Sequence, residues 1–200
     1  MLSAFKNYYS LLRIYQWVKN LLVFFPLFFA EKLFFKESLQ QTLLTFFVFC
    51  LTSSLAYIIN DVADIEKDRL HPIKKNRAIA SGKISKSVAI GIGCLLLLLV
   101  VIIAIIYLNK PTIAVLAGYL VLNICYSFFL KNYSLFDIFM IGVFFEFRLL
   151  AGGFAATVAL SPWLVLLPFF LSLFIAAANR RENIVFNFEE KKMLRKSLAN

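Results

Sequence analysis

Three aspartates stand at a spacing that can do chemistry. In Asn60-Asp61-Val62-Ala63-Asp64-Ile65-Glu66-Lys67-Asp68, residues Asp61, Asp64 and Asp68 follow an i, i+3, i+7 pattern. On a continuous helix of about 3.6 residues per turn they share one face. Like charges so placed repel, and at a helix C-terminus they also meet the negative end of the dipole. A cation relieves both. Mg²⁺ suits the role, since it takes one or two carboxylates and fills its shell with water and substrate phosphates. The alternative is a helix end whose carboxylates face water, although carboxylates at a membrane boundary are costly without a partner.

The chain then turns basic. Arg69-Leu70-His71-Pro72-Ile73-Lys74-Lys75-Asn76-Arg77 leads to Lys83. His71-Pro72 is expected to end the helix. Lys74, Lys75, Arg77 and Lys83 then return towards the acids. Carboxylates beside cations can hold a metal–diphosphate, with the cations neutralising the remaining phosphate oxygens. Each of these cations also has a simpler reading as a topology signal. His71 is the single histidine, and with no second His or Cys nearby it reads as a helix-end or loop residue.

The elements that must position these groups are membrane helices. The chain has 200 residues, 62% hydrophobic and 16% charged, with 23 Phe and a mean hydropathy of +0.83. A soluble domain is about half apolar and about a quarter charged. A soluble enzyme, a disordered tail and a disulfide scaffold are excluded. Cys50, Cys94 and Cys125 fall inside apolar runs and read as small apolar residues. The windows Ser38–Asn60, Ser87–Asn109 and Pro111–Leu130 carry no charge, and each can cross about 30 Å of hydrocarbon at about 1.5 Å per residue. Leu149–Asn179 is also charge-free but is broken at Ser161-Pro162, and Ile14–Ala30 is apolar apart from Lys19. The expectation is an all-α polytopic transmembrane bundle with six helices over roughly 14–31, 40–60, 87–108, 112–130, 134–157 and 162–180.

Charge orients that bundle. With the N-terminus inside, the cytoplasmic segments hold 17 of the 21 Lys and Arg, as the positive-inside rule requires. The net charge of +10 is therefore read as topology, with no nucleic-acid partner. The expected location is the inner (plasma) membrane, multi-pass, with the N-terminus and the 61–86 loop cytoplasmic. That loop is the longest connection and the expected catalytic segment. No cleavable leader is evident. Within the spans, Asp137, Glu146 and Arg148 stand on the fifth helix, where charges face the bundle interior and tend to pair. Arg148 is open to two readings, substrate contact or a buried pair with a carboxylate. Glu146 lies two residues away on a different face and reads as structural, and Gly152-Gly153 reads as close helix packing. Lys19 can snorkel to the interface, with Trp17 as an anchor beside it.

Asn60-Asp61-x-x-Asp64-x-x-x-Asp68, followed by His71-Pro72-x-Lys74-x-x-Arg77-x-Ile79-Ala80-Ser81-Gly82, resembles the first aspartate motif of the UbiA superfamily of intramembrane prenyltransferases. The resemblance covers essentially the whole chain, 1–200, as a single transmembrane domain. Gln16-Trp17-Val18-Lys19-Asn20-Leu21-Leu22-Val23-Phe24-Phe25-Pro26-Leu27, Lys131-Asn132 with Asp137, Phe147-Arg148-x-x-Ala151-Gly152 and Ser161-Pro162-Trp163 resemble one branch, the decaprenyl-phosphate phosphoribosyltransferases. Arg180-Arg181-x-Asn183 does so more loosely, with Asn179 in the place of a Lys. Ala78 stands where the superfamily usually has Pro.

The resemblance implies that a polyprenyl (decaprenyl-type) phosphate attacks C1 of phosphoribosyl pyrophosphate and releases pyrophosphate, with Mg²⁺ as cofactor. It implies Asp61 and Asp64 as catalytic, Asp61, Asp64 and Asp68 as metal ligands, and Lys19, Asn60, Lys74, Arg77, Lys131, Asp137, Arg148, Arg180 and Arg181 as substrate-binding. It also implies about nine helices. Six here suggest a C-terminally truncated or split product, completed by separately encoded helices or an oligomer. An aromatic prenyltransferase using a polyprenyl diphosphate and a hydroxybenzoate-type acceptor is the first alternative; Arg180-Arg181, in place of a second acidic cluster, argues against it. An inactive membrane fragment is the second. A small transporter would show internal repeats or broken helices at the midplane, and no repeat is evident.

Overall fold

The computed structural model describes residues 2–130 and 134–178, with side chains over 5–130 and 138–178. Among them the regular elements are all helical. α1 (Leu2–Leu12) leads into a 3-10 segment (Ile14–Phe24) and α2 (Phe25–Phe29); α3 (Lys36–Ala63) and α4 (Ile65–Leu70) follow. α5 (Lys86–Tyr107), α6 (Lys110–Phe128) and α7 (Ser134–Ala156) come next, and α8 covers Pro162–Ala178.

Four helices are long and apolar enough to cross a membrane: Lys36–Ala63, Lys86–Tyr107, Lys110–Phe128 and Ile138–Ala156. This is an all-α, multi-pass membrane fold. The first and last expected spans are helical but shorter, Ile14–Phe29 and Pro162–Ala178. The first recovers its reach through its geometry. A 3-10 helix rises about 2.0 Å per residue against about 1.5 Å for an α-helix. Ile14–Phe24 with α2 therefore extends about 30 Å, the thickness of the hydrocarbon core.

Capping marks the helix ends. Ser85 accepts from the Val88 amide at 3.3 Å at the start of α5. Asn109 accepts from the Thr112 amide at 2.9 Å at the start of α6, with Pro near the first helical position. α4 ends at Leu70, and His71 is extended, as the residue before Pro72 must be. His71 Nδ1 accepts from the amides of Ile73 and Lys74 at 3.2 and 3.4 Å, so the lone histidine organises the loop.

α3 is the hub. It packs against α1, the 3-10 segment, α5, α6 and α7. Within its apolar stretch 61% is buried, against 28% in both α5 and α6. Three of its buried hydroxyls bond to its own backbone: Thr42 to Ser38 O and Thr52 to Val48 O, each at 2.8 Å, and Ser53 to Cys50 O at 2.9 Å. One core cluster joins Val23, Phe49, Tyr119 and Ala151. A second ties the 61–86 loop down, with Ala78, Ile79 and Ile84 packed beside Leu11, Leu55 and Ile58. Gly82 turns this loop at φ +75°, a left-handed conformation that favours glycine. Its amide donates to Ile79 O at 3.0 Å.

Candidate active site

The 3-10 segment presents three columns, because its period is three residues. Trp17, Asn20 and Val23 form the inward column. The Trp17 indole donates to Ser54 Oγ at 3.0 Å, while Asn20 and Val23 are fully buried. Trp17 therefore pins the segment to α3, beyond the interface role expected of it. Tyr15, Val18 and Leu21 form an exposed column. The third column runs from Arg13 and Lys19 to Leu22 and Phe25, and it lines first a charge-bearing pocket and then an apolar groove. Arg13 starts the segment in the left-handed region (φ 49°, ψ 46°), an uncommon conformation for a residue with a side chain. Gly152 of α7 lets the segment approach. A Cβ there would stand 1.9 Å from the Val23 carbonyl oxygen.

The acids gather at the end of α3. The helix breaks at Asp64, yet the Asp64 amide still bonds to Asn60 O at 3.0 Å and the Asp68 amide to Asp64 O at 2.8 Å. The helical register therefore carries across the break. Arg77 Nη1 donates to Asp61 Oδ1 at 3.1 Å and to Asp68 Oδ2 at 2.6 Å. Arg13 Nη2 donates to the same Asp61 oxygen at 2.5 Å, and its guanidinium lies 4.6 Å from the Tyr57 ring centre. Asp61 and Asp68 are buried, so the two guanidiniums supply the charge that their desolvation demands. Asp64 is half-buried. Among the described residues no group of three or more His, Cys, Asp or Glu stands close enough to hold a metal ion. Two converging carboxylates are nonetheless the hard oxygen donors that Mg²⁺ takes when phosphates complete its shell, so Asp61 and Asp68 fit that ion in chemistry.

Arg13 also lines a pocket of about 190 Å³ in which Lys19, Asn60, Asn123 and Arg148 stand among apolar and aromatic side chains such as Ala56, Tyr57 and Phe144. Arg148 is 4% exposed. Its Nε donates to Asn20 Oδ1 at 2.8 Å and its Nη1 to the Phe144 carbonyl. The rings of Phe49, Phe145 and Tyr119 stand 5.2 to 5.6 Å from the guanidinium, within cation–π range. Among the described residues no carboxylate pairs with it. The buried-pair reading of Arg148 is not met there, and Glu146, whose carboxylate oxygens are buried without a hydrogen-bond partner, does not supply it. Among the described residues its charge is met by an amide oxygen, a carbonyl and three rings.

The pocket meets an apolar groove at Phe145, which lines both. The groove holds about 710 Å³ between the 3-10 segment with α2 and helix α8, with Leu22, Phe29, Trp163, Leu167 and Leu171 on its walls. A charged head and a long apolar tail would find adjoining quarters here.

Of the residues expected at the site, Lys19, Asn60 and Arg148 share the pocket, and Asp61, Asp68 and Arg77 share one ion-pair cluster. Lys74 is exposed on a short 3-10 turn, Lys74–Asn76. Asp137 is placed by its backbone alone, in the first turn of α7. Lys131, Arg180 and Arg181 lie outside the described residues. Arg13 and Asn20 were not singled out. Nothing in the sequence marks Asn20 as inward, since the period of three that aligns it with Trp17 and Val23 appears only in the structure.

Comparison with known proteins adds to this geometry. The profile of the UbiA prenyltransferase family matches residues 21–199. A decaprenyl-phosphate phosphoribosyltransferase of Corynebacterium glutamicum is 35% identical over 192 residues, covering 94% of this chain and 58% of that protein. An uncharacterized protein of Sinorhizobium fredii is 40% identical over 173 residues, covering 86% of this chain and 33% of its own. The chain thus spans little more than half the length of the first relative and a third of the second. The structure of a UbiA homolog from Archaeoglobus fulgidus bound to DMAPP and Mg²⁺ superposes with a TM-score of 0.71 at 22% identity, over 84% of this chain and 60% of that one. That likeness speaks for the fold.

Proposed function

Since the chain belongs to the UbiA prenyltransferase family, and is thereby a membrane transferase, we propose that it transfers 5-phosphoribose from phosphoribosyl pyrophosphate to a polyprenyl phosphate. The observation that carries the reading is the junction at Phe145. There a pocket with Lys19 and the buried Arg148, which no carboxylate pairs among the described residues, shares a wall with a groove lined by apolar side chains. An isoprenoid monophosphate has that division of charge and hydrocarbon. Relatives named decaprenyl-phosphate phosphoribosyltransferases, 33% to 35% identical, support the same substrate class.

In this reading Lys19 and Arg148 bind the acceptor phosphate and the groove takes the tail. The donor enters from the side of the 61–86 loop, which faces the cytoplasm in this reading. Arg13 and Arg77 move from the carboxylates to pyrophosphate oxygens, and Lys74 adds charge at the rim. Asp61 and Asp68, with Asp64 beside them, would hold Mg²⁺, which when bound supplies charge stabilisation for the departing pyrophosphate. An oxygen of the acceptor phosphate forms the new bond to C1. The bond from C1 to the pyrophosphate oxygen breaks, and the leaving group takes the electron pair. The rings of Tyr57, Tyr119, Phe144 and Phe145 on the pocket wall exclude water from that centre. In this reading the chain acts in the plasma membrane.

The test uses membranes containing the chain, Mg²⁺, polyprenyl phosphate and phosphoribosyl pyrophosphate labelled in the ribose. Label should enter the lipid phase only with the chain and Mg²⁺ present, and Asp61→Asn should abolish it while insertion is retained. No lipid label, in membranes where the Corynebacterium relative gives it, overturns the proposal. So does transfer from an isoprenyl diphosphate to an aromatic ring.

A further inference from the structure

We propose that Asn20 is a positioning residue that orients Arg148 for an anionic ligand while leaving its charge uncancelled. The inference rests on the reading of Arg148 as the seat of the acceptor phosphate and deepens it.

The polarity of the contacts is forced. A guanidinium only donates hydrogen bonds, so the Asn20 amide must turn its oxygen to Arg148 Nε, at 2.8 Å. Its NH₂ then faces α3, where it donates to Ser53 Oγ at 3.1 Å and to Cys50 Sγ at 3.3 Å. Ser53 has already given its own proton to the Cys50 carbonyl at 2.9 Å. Only a lone pair remains for the amide. Each link therefore fixes the next, from the α3 backbone through Ser53 and Asn20 to the guanidinium. Asn20 is 1% exposed and Ser53 is 2% exposed, so water does not compete.

The choice of amide over acid is the informative part. An aspartate at position 20 would occupy the same volume and accept the same bond. It would also close a buried ion pair with Arg148, satisfying a charge that otherwise has no carboxylate among the described residues. A purely structural site would gain from that pair. Asn20 instead provides the acceptor without the charge, and the positive potential stays in the pocket for a ligand.

The experiment measures binding of farnesyl phosphate, a short isoprenyl monophosphate, to the full chain in detergent micelles, together with its thermal midpoint. Asn20→Asp should weaken binding by at least about ten-fold, while the midpoint stays at or above that of the unaltered protein. Ser53→Ala keeps every charge but removes the acceptor behind the amide. It should weaken binding about three-fold or more, and it carries the test if the aspartate variant fails to fold. Unaltered affinity in Ser53→Ala together with unaltered affinity or misfolding in Asn20→Asp overturns the proposal. So does a loss of affinity that merely follows a loss of thermal midpoint in both. Failure of the underlying reading looks different. Arg148→Gln would then bind farnesyl phosphate as well as the unaltered chain, or the unaltered chain would not bind it, and the proposal falls with that reading.

Discussion

Arg77 joins two buried aspartates through a single nitrogen, with Arg13 on the far side of one of them. Removing one partner of such a cluster leaves a charge in a poorly hydrated place. Arg77 is itself 26% exposed, which screens part of that effect. Arg77→Ala should therefore destabilise the chain by about 2–3 kcal/mol, read as a lowered unfolding midpoint in micelles. The same change made in an Asp68→Asn background should have a smaller effect; equal losses in both backgrounds would show that the pair is not coupled. Most of this cluster was legible in the sequence because it is local. Asp61, Asp68 and Arg77 lie within one helix end and its loop, where spacing alone brings them together. Arg13 was not legible. It reaches Asp61 across 48 positions, and what aims it is a left-handed backbone that nothing in an amphipathic arm announces. Arg148 stood out as an intramembrane charge, but that no described carboxylate pairs with it is a property of its neighbours in space.

Among the elements, the 3-10 segment does the most positioning and was the least foreseeable. Apolar stretches do not report their own pitch, and Ile14–Ala30 reads equally well as an α-helix. The period of three is visible only against its neighbours, with Trp17, Asn20 and Val23 inward and Tyr15, Val18 and Leu21 outward. Gly152 is what allows the packing. Gly152→Ala would set a methyl 1.9 Å from a backbone oxygen, where no side-chain rotation relieves it. We expect a loss near the upper end of about 1–3 kcal/mol. Transfer activity should fall as well, because Asn20 and Arg148 sit one turn away on the same two elements. Gly142→Ala meets only the Phe169 ring and Leu173 and should be milder. An alanine at 152 that is tolerated as well as one at 142 would argue against this close approach. Close packing holds for Gly152, against the 3-10 segment, while Gly153 faces the Leu160 side chain in the connection after α7. The helix break at Asp64 likewise left the expected face of acids in register without leaving the helix continuous.

For the whole molecule, the decisive feature is that the charge-bearing pocket and the apolar groove are neighbours yet chemically separate. Substrate halves should therefore respond separately to mutation. Leu171→Gln, on the α8 wall of the groove, should raise the KM for polyprenyl phosphate about three- to ten-fold and leave the KM for phosphoribosyl pyrophosphate unchanged. A parallel rise in both would mean that the groove does not hold the tail. Composition and charge-free windows disclosed the membrane fold because the bilayer imposes length and polarity on each span. They could not disclose which helix is central. That place belongs to α3, the most polar-studded of the long helices and also the most buried. Thr42, Thr52 and Ser53 turn their hydroxyls onto its own carbonyls, while Ser54 reaches outside it to the Leu12 carbonyl at 2.7 Å. During synthesis it emerges before α5, α6 and α7. A helix that settles three of its own hydroxyls brings less unmet polarity into lipid, and the partners that arrive later assemble on a template already in place.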